Sequence, residues 1–93
     1  MDIYRIQTKI TKTVEIRNSA GNLVDPSSIV FNVQKPDMTS ETILSTDPRV
    51  IHSATGVFAL TIDLDMLGFW AINTQSTDPT ESITEYVYCD SRF

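Results

Sequence analysis

The single histidine, His52, is the first place to look for acid–base or metal chemistry in this 93-residue chain. A zinc site needs three or four ligands, and His52 has no cysteine at metal-site spacing. No GxSxG, HExxH or P-loop pattern occurs, and no set of nucleophile, base and orienting acid can be assembled. His52 therefore reads as a surface or loop residue. Asp63 and Asp65 stand two apart, a spacing that turns two carboxylates to one side of a strand and suits a calcium ion at a sheet edge. The Asp-x-Asp-x-Asp-Gly loop that makes such a site specific is missing, so both read as acids flanking a turn. The many serines and threonines fit exposed strand faces. No catalytic residue, metal or cofactor is expected, and the chain reads as a non-enzyme.

The aromatic residues point to contact rather than chemistry. Trp70 suits the centre of a two-layer core. Tyr86, Tyr88 and Phe93 lie near the chain end and are candidates for a contact surface, although core or rim packing fits them equally well. With Arg92, and with Tyr4, Arg5 and Lys9 at the other end, they make up the expected interface. Tyr86 beside Asp78 or Gln75 also has the composition of a sugar site. Cys89 reads as a small buried apolar residue.

The elements that must position these side chains are strands. Segments rich in β-branched and aromatic residues alternate with turn signals at intervals of roughly eight to twelve residues, and no stretch holds a helical period beyond two turns. The clearest runs from Phe58 to Leu64, with Phe58, Leu60, Ile62 and Leu64 alternating with Ala59, Thr61 and Asp63. Others are expected at about Ile29–Lys35, Glu41–Ser45, Val50–Ser53, Phe69–Gln75 and Ile83–Cys89. The first strand, or bent pair, covers about Ile6–Arg17, with Ile10, Val14 and Ile16 inward. Lys12 breaks that inward set, so a bulge or a switch between sheets is expected near it. The sum is one all-β domain over residues 1–93, an immunoglobulin-like antiparallel sandwich of about seven strands with residues 1–8 as an N-terminal arm.

Composition narrows the partners. The net charge is −5, which argues against nucleic acid, since phosphate binding needs clustered Lys and Arg. Residues 1–17 carry four basic and two acidic side chains, while the remainder carries three basic and ten acidic. Such asymmetry suits head-to-tail packing of subunits, and ordinary solvated faces explain it more simply. One cysteine rules out an internal disulfide and fits a reducing cytoplasm. The start MDIYRIQTKITKT has no apolar signal core, and no run is long enough to cross a bilayer as a helix.

The stretches SAGNLVDPSSIVFNVQKPDMTSET and STDPRVIHSATGVFALTIDLDMLGFWAIN resemble small immunoglobulin-like proteins encoded among the structural genes of tailed bacteriophages. The family pattern is D-x-x-G-x-x-V-D-P, then a strand ending at x-P-D-G, then T-G-x-Y-x-x-x-x-x-L-D-x-x-G-x-W. Gly21, Asp25, Pro26, Pro36, Asp37, Thr55, Gly56, Leu64, Asp65, Gly68 and Trp70 match it. Met38 replaces the glycine after Pro-Asp, and Phe58 replaces the tyrosine, so the 36–40 turn is a place where the type can differ. The resemblance covers roughly residues 14–75 and rests on turn and core positions. It implies a virion component, assembled in the host cytoplasm in many symmetric copies. The expected partners are capsid, neck or tail subunits, with the chain as a capsid decoration or head–tail neck component. A tail subunit and a carbohydrate- or host-surface-binding module are the alternatives.

Overall fold

The chain starts in one sheet and crosses to the other within two residues. In the computed structural model, which describes residues 2–91, strand β1 (Asp2–Arg5) pairs in parallel with the last strand, β8 (Glu81–Asp90). The Ile6 amide still bonds the carbonyl of Asp90, at 2.9 Å, and the next amide, Gln7, bonds Leu64 in the opposite sheet at 2.6 Å. Gln7 takes φ 65° to make this step. Strand β2 (Thr8–Glu15) then runs without interruption against β6 (Val57–Leu64).

Two expectations are corrected here. Asp2–Arg5 are a sheet strand rather than an arm, which brings the strands among the described residues to eight. The switch between sheets lies at residues 6–7 and not at Lys12, which sits in regular register opposite Leu60. The Lys12 side chain does point inward, only 16% exposed, and its ammonium pairs with Glu85 at 3.5 Å. A long aliphatic stem can line an apolar margin while its charge finds a partner there.

The remaining strands are β3 (Ser28–Gln34), β4 (Ser40–Leu44), β5 (Val50–Ala54) and β7 (Gly68–Thr77). They form a five-stranded sheet in the order β1-β8-β7-β3-β4 and a three-stranded sheet in the order β2-β6-β5. Each inner face carries the alternate residues of its strands, as the two-residue period requires. Ile10, Val14, Phe58, Leu60, Ile62 and Leu64 come from the smaller sheet, and Phe31, Val33, Ile43, Trp70, Ile72, Val87 and Cys89 from the larger. Burial of such side chains contributes about 1.5–3 kcal/mol each. Trp70 is 1% exposed and donates its indole N–H to the Met66 carbonyl at 2.9 Å, so its one polar atom is satisfied in the core. Cys89 is fully buried beside it in the same sheet, and burial pushes its thiol pKa up.

The β3–β4 turn keeps a glycine-like backbone without a glycine. Met38 takes φ 72°, and its amide bonds the Lys35 carbonyl at 2.9 Å to close the turn. A side chain in that region costs roughly 1–2 kcal/mol.

Candidate interaction surface

Alternation that buries Trp70 and Val87 must turn their neighbours outward, and the strand register aligns those neighbours in rows across the five-stranded sheet. The first row is Ile3, Tyr88 and Phe69 on β1, β8 and β7. The second is Tyr86, Ala71, Gln34 and Ser40, the third Thr84, Asn73, Asn32 and Thr42. Ser82, Gln75, Val30 and Leu44 make the fourth. No Asp, Glu, Lys or Arg stands in any of the four.

Large apolar groups are left open to solvent on this face. Ile3 is 65% exposed, Phe69 58%, Tyr86 59% and Leu44 55%, and Met38 at the adjoining turn is exposed as well. The Phe69 and Tyr88 rings meet at 4.7 Å and 57°, a tilted pair that holds both in place. Next to them Gln34, Pro36, Met38, Phe69 and Tyr86 border a shallow depression of about 370 Å³, with Lys35, which pairs with Asp65, at its rim. The third row is bonded within itself and to the fourth: Asn73 Nδ2 donates to Thr84 Oγ1 at 2.8 Å and to Ser82 Oγ of the fourth row at 3.1 Å, and Thr42 Oγ1 donates to Asn32 Oδ1 at 2.9 Å. These bonds fix amide side chains that would otherwise be floppy, giving a flat and ordered surface.

The expected interface residues fall in different places. Tyr86 and Tyr88 stand together on this face, with exposed Arg5 at its margin, in register with Asp90. Tyr4 does not join them. Parallel pairing with Cys89 puts it on the inner side, partly buried against the core, its ring 5.9 Å from Lys12 Nζ. Lys9 lies on the other sheet, exposed and 3.9 Å from Asp63. Arg92 and Phe93 lie outside the described residues. For the sugar reading, Gln75 is two rows from Tyr86 and Asp78 lies beyond the end of β7, so neither adjoins it; the amide in the row of Tyr86 is Gln34. Phe69 and Ile3 were not anticipated. Phe69 was readable, since it must face opposite to Trp70.

Other polar groups serve the fold. A groove of about 210 Å³ on the β4 side brings Lys9, Lys35 and Arg49 together with Glu41, Asp63 and Asp65. Each cation there already has its acid: Lys35 pairs with Asp65 at 3.6 Å and Arg49 with Glu41 at 2.8 Å. Asp63 and Asp65 thus take separate lysines, and among the described residues no group of three His, Cys, Asp or Glu is placed to hold a metal ion. Arg49 also grips Asp47, whose carboxyl is held down at about 2 by the guanidinium hydrogen bonds and the Arg49 amide. His52 stacks on Phe58 at 4.4 Å and 7°, and its Nε2 lies 2.8 Å from Asp25 Oδ1. The same oxygen accepts the Gly56 amide at 2.7 Å, and that bond, followed by His52, holds the Asp25 carboxyl below its usual range. His52 is therefore a brace between the Asp25-Pro26 turn and the β5–β6 hairpin.

Comparisons with known proteins bear on the fold alone. No protein-family model and no curated protein matches the chain. Among solved structures, the filamin domain of Lin-41 superposes with a TM-score of 0.76 at 15% identity, covering 98% of this chain and 85% of that one. The chain is an immunoglobulin-like all-β sandwich.

Proposed function

We propose that this chain is a non-catalytic docking domain of a tailed-phage virion, a capsid decoration or head–tail neck component. Its contact surface is the outer face of the five-stranded sheet. The observation that carries this reading is four described rows of that face that hold no charged side chain but several exposed apolar ones, with Arg5 and Asp90 only at the margin, in a chain of net charge −5. Exposed apolar patches of this kind mark interaction sites, and aromatic residues at their centre carry most of the binding energy. The virion assignment draws on the turn and core residues shared with phage immunoglobulin-like proteins, Asp25, Pro26, Gly56 and Trp70 among them. Weak contacts of one small face become durable when many copies sit on a symmetric lattice.

Quantitative mass spectrometry of purified particles, with heads and tails separated, tests the assignment. Hundreds of copies with heads mean a decoration protein, a dozen or fewer at the junction a neck component, and copies with tails a tail subunit. Absence from particles overturns the virion reading. A second reading, a carbohydrate-binding module, draws on Tyr86 and Gln34 beside the shallow depression. Glycan-array binding that Tyr86→Ala abolishes is its signature, and silence on the array removes it.

A further inference from the structure

We infer that the partner of this face is, first, a second copy of the same chain, packed face to face as an isologous pair. The inference rests on the reading of the face as a docking surface and names its occupant.

Charge is the first argument. Each copy carries a net −5, so two copies repel, and the repulsion is smallest where the surfaces that meet hold no charged side chain at their centre. The outer face of the three-stranded sheet does not qualify, because it displays Lys9, Glu15 and Asp63. The outer face of the five-stranded sheet does, across all four rows.

Self-complementarity is the second. The amides of Gln34, Asn32, Asn73 and Gln75 are spread over three of the rows, and an amide is both donor and acceptor, so groups of this kind can meet their own copies without any change of sign, although Asn32 and Asn73 already spend part of that capacity within the face. An isologous contact demands this property of a single patch.

Area is the third. Five strands spaced about 4.8 Å span roughly 24 Å, and seven residues rising about 3.3 Å each span roughly 23 Å. The face therefore offers about 500 Å² per copy, and a pair buries about 1,000 Å² in all, the lower limit of a specific interface. The pair is weak on its own and responds to concentration. β7 is the third of the five strands, which puts Ala71 and Asn73 near the centre of the face. Any two-fold axis lying in the plane of contact through that centre brings Ala71 close to its own copy.

Sedimentation velocity from about 10 µM to about 1 mM, the range in which an interface of this size responds, reads the association directly. The expected result is a monomer–dimer equilibrium that Tyr86→Asp weakens by about ten-fold or more, since it sets like charges close together in the contact. Thr13→Asp, on the other sheet, leaves it unchanged. Ala71→Cys gives the position check: Cys89 is fully buried, so the new thiol is the one a short bismaleimide reaches. Crosslinked dimer is expected from Ala71→Cys and not from Thr13→Cys. A monomer at every concentration overturns the inference, as does a dimer indifferent to Tyr86→Asp or one captured through Thr13→Cys. A chain that stays monomeric yet enters particles loses this inference and keeps the proposed function, and a dimer absent from particles does the reverse.

Discussion

Gly56 and Gly21 form a natural experiment on what holds the loop after β2 against the β5–β6 hairpin. Both have positive φ, +71° and +85°, so replacing either with alanine incurs the same left-handed penalty of roughly 1–2 kcal/mol. Their surroundings differ. A Cβ on Gly21 meets nothing within 4 Å, whereas one on Gly56 falls 2.8 Å from the Ile16 carbonyl oxygen and 2.8 Å from the Val24 amide nitrogen. All of these are backbone atoms and cannot swing aside. Relief requires the segments to separate, which disrupts the Ile16 amide–Gly56 carbonyl bond at 2.7 Å and the Val24 amide–Ile16 carbonyl bond at 3.0 Å. At about 0.5–1.5 kcal/mol per bond, Gly56→Ala loses a further 1–3 kcal/mol. Urea titration with a slope near 1 kcal/mol per molar reads these as midpoint shifts of about 1–2 M for Gly21→Ala and about 2–5 M for Gly56→Ala. A domain of this size has only about 5–15 kcal/mol in total, so the second variant is close to unfolding. Equal shifts for the two variants would refute the close approach at Gly56 and with it the packing of the Asp25-Pro26 turn.

Three further outcomes follow from particular contacts. Met38→Gly removes a strained backbone from an exposed turn and is expected to raise the urea midpoint by up to about 1 M; a lower midpoint means that the Met38 side chain has a packing role. At the margin of the core, Glu85→Gln takes away one counter-charge of the Lys12 ammonium, while Lys12→Met removes the charge and keeps the stem. Glu85→Gln should therefore be the more destabilising, by about 1 kcal/mol, and the reverse order in thermal melts contradicts the inward placement of Lys12. In acid, the depressed carboxyl of Asp47 contributes stability that is fully present above its ordinary value of 3.8 and is lost as pH falls through about 2. Asp25, Asp37 and Glu41 are shifted in the same direction. The melting temperature should hold from neutral pH to about pH 5 and then fall, and Asp47→Asn should make that fall shallower; an unchanged slope removes the Arg49 clasp from the account.

The two-layer sandwich was legible wherever one strand carried its own signal. The alternation through Phe58–Leu64 placed four core residues, and the parity of Trp70 and Ile72 placed the core side of β7. What escaped depends on partners far away in sequence. β1 has four residues and no readable period, and it becomes a strand only because β8 offers it an edge. Lys12 looked like a break because a lysine at an inward position contradicts the pattern unless Glu85 stands opposite, and nothing local predicts Glu85. The outer face of the five-stranded sheet was half legible for the same reason. Tyr86 and Tyr88 share a parity along one strand, whereas their alignment with Phe69 and Ile3 is a matter of register between strands.

The most direct test of the central claim is a competition for places in the assembled particle. Wild type and a Phe69→Asp, Tyr86→Asp double variant, both verified as folded, are expressed together, and their ratio in purified virions is measured against their ratio in the cell by mass spectrometry. The account predicts that the variant is depleted about ten-fold or more, because it places two carboxylates within the uncharged rows of the contact. Equal incorporation would contradict it and move the docking surface elsewhere on the domain.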